Sequence, residues 1–151
     1  MDDGGGLSRS LPVGYGVPQE SVLWPLLFAL YISDIGQHIA FSNNYVFADD
    51  LQIYSSCKPD EIDSATSKIN SDIDTISRCA EGRNLNINIG KTKAIMFGSR
   101  VYLNNIAMFP SLFLYGNVIE FSDSVKKLGV EFDQTLSWRY NVVSISNKVF
   151  K

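Results

Sequence analysis

The sequence predicts a single α+β domain in which helices and hairpin strands occupy separate segments. Its 151 residues are the length of one domain, and 45% of them are hydrophobic, as in ordinary globular proteins. One segment has apolar residues at helical spacing, and several others have the short β-prone runs of hairpins. The order helix, hairpin, helix, strands differs from the regular alternation of parallel folds.

The first predicted helix runs from about Val22 to Gly36. It is apolar nearly all round, so we expect it to be buried. Ser21 is its expected N-cap, and Pro25 is tolerated in the first turn. Residues 1–10 are polar and glycine-rich and predict a flexible N-terminal segment.

The clearest helical pattern begins at Pro59, and Gly82 is its expected end. Apolar side chains recur along it at steps of three and four, at Ile62, Ala65, Ile69, Ile73, Ile76 and Cys79. The opposite face is charged and is expected to be solvated. It carries Asp63, Lys68, Asp72, Asp74 and Arg78.

Short β-prone runs make up most of the remaining chain. Two of them, 45–48 and 51–55, flank Asp49 and Asp50 and predict a hairpin with this pair at its turn. Further strands are predicted at 85–89, 92–97, 112–115, 118–121 and 126–132, with a turn at 116–117. Residues 137–151 predict the start of a helix.

Composition narrows the functional classes. The formal charge of −3 argues against a free-standing nucleic-acid-binding domain, which usually has a basic excess. Cys57 and Cys79 are far apart and form no CxxC pair, so neither a zinc site nor a disulfide framework is expected. No apolar run reaches the roughly 20 residues that span a membrane, and the N-terminus lacks signal-peptide features. We therefore expect an intracellular protein, in the cytoplasm or the nucleus.

Asp49 and Asp50 are the first candidates for chemistry. Two unit charges about 4 Å apart repel by on the order of 4 kcal/mol at an effective dielectric of 20, and a divalent cation would remove this cost. Mg²⁺ prefers carboxylate oxygens, waters and substrate phosphates. The pair therefore indicates metal-assisted phosphate chemistry, and the alternative is a solvated acidic turn.

A second candidate is the segment GYGVPQESVLWPLLF at residues 14–28. It is interpreted either as a glycine-proline loop leading into a buried helix or as a loop whose backbone approaches a nucleotide. A helix N-terminus after such a loop suits phosphate contact.

These two segments together resemble reverse transcriptases of non-LTR retrotransposons, of the jockey-like kind. That family has motifs of the form GVPQGSVLGPLLF followed by (Y/F)ADD. Residues 88–98, NIGKTKAIMFG, resemble its N-x-x-K-T segment. VKKLGV at 125–130, with Asp133, Leu136 and Trp138 after it, resembles its V-K-x-L-G-V segment and the D…L-x-W that follows. The resemblance covers about residues 11 to 151.

The resemblance implies a partial right-hand polymerase palm over 11–136 and the truncated start of a thumb helix over 137–151. It implies that Asp49 and Asp50 bind catalytic Mg²⁺, with Mn²⁺ as an alternative. Lys91 would approach the triphosphate, although it is equally well interpreted as a solvated turn lysine.

The resemblance also implies contacts with nucleic acid. Leu128 and Gly129 would lie in a hairpin that supports the primer, or form an ordinary strand turn. The loop and helix start would contact nucleotide and template through Gly16, Pro18, Gln19 and Ser21. The implied partners are an RNA template, a DNA primer, a dNTP, and the fingers and remaining thumb of the same polyprotein.

The sequence departs from the family pattern in three respects that affect the expected activity. Glu20 and Trp24 stand where the family pattern has glycines, and Glu20 would repel phosphates. The family's other catalytic aspartate lies upstream of the loop, and Asp2 and Asp3 are in a segment without strand character. We therefore expect an N-terminally truncated reverse transcriptase fragment that is inactive alone. The alternatives are a non-catalytic interaction or nucleic-acid-binding scaffold derived from a reverse transcriptase, and an unrelated α+β protein.

Overall fold

The computed structural model describes residues 23–106 and 108–149, which form helices and small antiparallel sheets as the α+β prediction requires. The helices are α1 (Trp24–Ile32), α2 (Ile62–Gly82), α3 (Arg100–Asn105) and α4 (Arg139–Val149). The strands are β1 (Asn43–Phe47), β2 (Asp50–Tyr54), β3 (Leu112–Leu114), β4 (Asn117–Ile119), β5 (Ser124–Lys127) and β6 (Val130–Asp133). They pair as three hairpins, β1–β2, β3–β4 and β5–β6.

Helix α2, which the apolar periodicity predicts, is the centre of the fold because it contributes to both hydrophobic clusters. Ile73 packs in a cluster with buried residues of β3 and β4, while Ile76 packs with Ile32 and Ile35 near the end of α1. Ile53 of β2 contacts both clusters. The β1–β2 hairpin is therefore attached to α2 through the continuous apolar interior.

Asp72 on α2 corrects the expectation that this position is solvated. Only 1% of its surface is exposed. Its carboxylate accepts hydrogen bonds from the backbone N–H groups of Ala40 (2.9 Å), Phe41 (3.2 Å) and Ser42 (2.7 Å). Burial alone would raise the pKa of Asp72, but these hydrogen bonds outweigh it and hold the pKa below its ordinary value. Asp72 thus fixes the segment that leads into β1.

Helix α1 is less buried than its composition predicts. Ile32 is buried and Phe28 half-buried, but Leu26, Leu27 and Leu30 are exposed. Only one side of α1 faces the cluster around Ile76, and no other described element covers the remaining face. The predicted N-cap Ser21 lies outside the described residues.

Several predicted strand boundaries are wrong. The β3–β4 turn is Tyr115-Gly116 instead of 116–117, with both residues at positive φ as type I′ turns require. The predicted strand 126–132 is interrupted by a turn and belongs to the β5–β6 hairpin. In the 85–89 run Leu85 and Ile87 are half-buried but Ile89 is exposed, and the run forms no strand. The 92–97 run contributes a single bridge between Ala94 and Phe121.

Two polar links join α2 to neighbouring segments, one near its middle and one just past its C-terminal end. Asn70 accepts a hydrogen bond from the N–H of Phe113 and donates one to the carbonyl of Ser111, which joins α2 to β3. Arg83, just past α2, forms a two-pronged ion pair with Asp34 after α1. The Arg83 hydrogen bonds hold the pKa of Asp34 below its usual value. The two helices are therefore tied at one end.

Replacing the buried carboxylate tests the anchoring role of Asp72. We expect Asp72→Asn to lower the free energy of unfolding by about 2–3 kcal/mol, because charge-assisted bonds to three N–H groups are weakened. Urea denaturation measures this. Asp74→Asn is the control, since Asp74 lies on the exposed side of α2 and should change stability by less than about 0.5 kcal/mol.

The lowered pKa of Asp72 determines how its contribution to stability changes with pH. The folded pKa of Asp72 is lowered, so its contribution is fully present above the unfolded value of about 3.9 and is lost as the pH falls further. The stability difference between wild type and Asp72→Asn should be constant from pH 7 to 5 and shrink below about pH 4. A difference that widens on acidification would contradict this.

Candidate functional site

The β1–β2 hairpin ends in a two-residue turn, Ala48-Asp49, because Phe47 pairs with Asp50. The predicted turn at Asp49-Asp50 is therefore displaced by one residue. Ala48 has φ of +50°, which the first central residue of primed hairpin turns requires and which glycine usually supplies. As a result Asp49 lies in the turn and Asp50 begins β2.

The two faces of this hairpin differ in character. Val46 and Leu51 point towards the cluster around Ile76. On the outer face, the aromatic side chains of Tyr45 and Phe47 are exposed. Directly paired residues in an antiparallel ladder point to the same side, so Asp50 shares this outer face with Phe47.

The two carboxylates have different surroundings. Asp49 is exposed and forms no hydrogen bond or ion pair with residues 23–106 or 108–149. Asp50 forms an ion pair with Lys127, whose Nζ lies 2.8 Å from Oδ2. The charge repulsion that the sequence predicts is thus relieved, for Asp50, by an ammonium group of the chain itself.

Lys127 is the last residue of β5, immediately before the Leu128-Gly129 turn. Both turn residues have positive φ, +49° and +84°, which is the type I′ pattern. The hairpin is fixed from behind by α4, because the side-chain amide of Asn141 hydrogen-bonds to both backbone groups of Glu131. The structure therefore brings the predicted primer-supporting turn next to the aspartate turn.

Asp133 at the end of β6 organises the connection to α4. Its buried carboxylate accepts hydrogen bonds from the hydroxyl and N–H groups of Thr135 and Ser137. The Thr135 and Ser137 hydroxyls, with their backbone N–H groups, hold the pKa of Asp133 well below its usual range, and burial opposes this only partly. The loop that starts α4 is thereby fixed to the hairpin.

Lys91, the other predicted catalytic residue, is not joined to this arrangement. Lys91 ends a short 3₁₀ helix, is exposed, and forms no ion pair or hydrogen bond to Asp49 or Asp50. The predicted nucleotide- and template-binding residues lie outside the described residues. They are Gly16, Pro18, Gln19 and Ser21.

Comparison with known proteins identifies the family. The sequence pattern of the family described as Reverse transcriptase (RNA-dependent DNA polymerase) matches residues 4–132. The chain belongs to the reverse transcriptase family. The resemblance seen in the sequence motifs is confirmed.

Two curated relatives are mobile-element polymerases. The chain is 28% identical over 141 residues to the RNA-directed DNA polymerase from mobile element jockey of Drosophila melanogaster, covering 89% of this chain and 15% of that protein. It is also 28% identical over 141 residues to the Drosophila funebris protein of the same description, covering 87% and 14%. The chain thus spans about a seventh of these relatives' length. No solved structure matches it.

The described residues offer a limited donor set for a divalent cation. They contain no group of three or more acidic, histidine or cysteine side chains placed to hold a metal ion. Asp49 supplies one unengaged carboxylate, and Asp50 supplies a second that Lys127 occupies. One or two carboxylates with water and substrate phosphates are the usual Mg²⁺ ligands, so the turn fits part of such a site.

Among the helices of the described residues, none combines the length and the apolar composition that a membrane span requires.

Lys127 is the residue that the sequence analysis missed. It occupies the unspecified position of the V-K-x-L-G-V pattern, so the motif gave it no role. The signal that could have indicated it is its place directly before a Leu-Gly hairpin turn, where a side chain projects from a fixed backbone.

The turn of the β5–β6 hairpin allows a stability test. Leu128 is 60% exposed and adopts a positive φ that costs a non-glycine residue about 1–2 kcal/mol. We expect Leu128→Asn to raise the free energy of unfolding by about 0.5–1 kcal/mol, because Asn-Gly is the favoured type I′ pair. Leu128→Val should lower it, since β-branched residues resist positive φ. Thermal unfolding of both variants measures these changes. A Leu128→Val variant that is more stable than wild type would contradict the turn assignment.

Proposed function

We propose that this chain is the part of an RNA-directed DNA polymerase that carries its ADD turn, the residues Ala48, Asp49 and Asp50. We propose that it acts in nucleotide addition to a DNA primer on an RNA template. The observation that carries the proposal is the family match over residues 4–132 together with the hairpin that presents Asp49 at its tip. In this proposal residues 11–136 are part of the palm, and α4 is the beginning of the thumb.

The surroundings of the turn support contact with nucleic acid. The exposed aromatic rings of Phe47, which pairs with Asp50, and Tyr45 offer stacking or packing surfaces near the turn, and Tyr54 extends this exposed set to the far end of the hairpin. Leu128 and Gly129 lie at the neighbouring hairpin tip, which is the position proposed to support the primer end. Lys91 is exposed and free to approach a triphosphate.

Asp49 is the proposed ligand of a divalent cation. When bound, the cation would supply Lewis-acid activation of the primer 3′-hydroxyl and charge neutralisation at the leaving pyrophosphate. The chain's own contribution is a rigid two-residue turn that holds the Asp49 carboxylate at the surface, free of internal partners in the described residues.

A thermal-shift measurement tests the cation site without requiring activity. A weak site with a dissociation constant of about 5 mM stabilises the folded chain by about 0.7 kcal/mol at 10 mM Mg²⁺. We therefore expect Mg²⁺ to raise the melting temperature by about 1–3 °C. The rise should disappear in Asp49→Asn and remain in Asp63→Asn, which removes an exposed carboxylate elsewhere.

Two results would contradict this assignment. One is no rise with Mg²⁺, and the other is an equal rise in Asp49→Asn.

Primer extension on a homopolymer template tests the catalytic state: we propose that the chain alone gives no incorporation. Incorporation that Asp49→Asn abolishes would show that it is catalytically complete.

The exposed apolar face of α1 favours a second candidate, a non-catalytic interaction or nucleic-acid-binding scaffold derived from a reverse transcriptase. Leu26, Leu27 and Leu30 form a patch of the kind that marks contact sites. Size-exclusion chromatography with light scattering discriminates. A clean monomer that also shows no affinity for a template–primer duplex would count against this candidate.

A further inference from the structure

The Lys127–Asp50 ion pair joins two hairpin tips that are distant in sequence. Asp50 begins β2 directly after the ADD turn, and Lys127 ends β5 directly before the Leu128-Gly129 turn. This pair is the one ion pair in residues 23–106 and 108–149 that connects two hairpins. The contact therefore bridges the two turns.

The two partners are sheltered to different degrees. The Lys127 side chain is 20% exposed, whereas that of Asp50 is 53% exposed. The lysine stem is thus held among neighbouring groups while its ammonium reaches the carboxylate, so little side-chain freedom remains to be lost on pairing. The exposed side of the Asp50 carboxylate lets a cation approach the pair and compete with the ammonium.

The neighbouring Lys126 shows that position, and not charge alone, determines the contact. Side chains alternate along a strand, so Lys126 points to the opposite face, where it pairs across the ladder with Glu131. Lys126 is exposed and forms no ion pair with the described part of the chain. Both lysines carry the same charge, but only Lys127 reaches Asp50.

We propose that Lys127 is a positioning residue that holds the Asp50 carboxylate and competes with a divalent cation for it. In this arrangement Asp49 is the open ligand, and Asp50 becomes available only when the cation displaces the ammonium. The same exchange releases the β5–β6 tip from the ADD turn, so cation binding is coupled to the separation of the two turns. This inference rests on the proposed function, in which Asp49 binds the cation.

Mn²⁺ titration of the full 151-residue chain, with free Mn²⁺ measured by electron paramagnetic resonance, tests the inference. We expect Lys127→Met to bind Mn²⁺ about 5- to 10-fold more tightly than wild type, because a competing positive charge is removed from a ligand. Lys126→Met changes the net charge equally and should stay within about twofold of wild type. Lys127→Arg keeps the pair and should resemble wild type.

A double substitution separates competition from a merely structural effect. Asp50→Asn alone should lower Mn²⁺ affinity only slightly, because in wild type the gain from binding Asp50 is offset by the loss of its ion pair with Lys127. In the Lys127→Met background the same change should abolish the gain. The inference is overturned if Lys127→Met and Lys126→Met bind Mn²⁺ equally, or if the gain persists without Asp50.

Failure of the proposed function has a different signature. In that case Mn²⁺ binds to no variant, or it binds with an affinity that Asp49→Asn leaves intact. Thermal unfolding of each variant, compared with wild type, confirms that the affinities are those of folded protein. Asp50→Asn serves as the second probe of the pair if Lys127→Met does not fold.

Discussion

The burial of one carboxylate, Asp72, determines how the rest of this structure is arranged. Its oxygens accept the N–H groups of Ala40, Phe41 and Ser42, the residues that lead into β1. Backbone donors left without a partner would each cost free energy, and an unpaired carboxylate buried as deeply as that of Asp72 would cost more. Satisfying both at once fixes the start of the β1–β2 hairpin to the middle of α2. The apolar contacts of Val46, Leu51 and Ile53 then fix its inner face.

This anchoring explains why the ADD turn can present acidic groups at a defined place. The hairpin is held from behind by apolar and hydrogen-bonded contacts, which fix the position of its tip. The second hairpin is fixed independently, through Asn141 on α4 and through Asp133. Where the two tips meet, Lys127 neutralises Asp50 and leaves Asp49 open. The turn thus presents the Asp49 carboxylate without a partner in the described residues and the Asp50 carboxylate paired with Lys127.

The sequence predicted the parts of this arrangement that depend on local pattern. The apolar spacing of Ile69, Ile73 and Ile76 defined α2, and the motif around Asp49 identified the family. Contacts between distant segments were not predictable in this way. Asp72 was assigned to the solvated face because it is charged, although it lies three residues after Ile69 and four before Ile76, beside the apolar stripe. The turn was predicted one residue too late, because an alanine such as Ala48 does not indicate a positive φ in the way that a glycine does. Lys127 has meaning only through its tertiary contact.

The central claim is that Asp72 positions the aspartate-bearing hairpin from behind. Hydrogen–deuterium exchange of the full chain tests it most directly, with Asp72→Asn compared with wild type and Asp74→Asn. We predict faster exchange in residues 40–54, with the amides of α2 around Ile76 and those of β3–β4 retaining their protection. Unchanged protection in residues 40–54, or an equal loss over the whole chain, would contradict the claim.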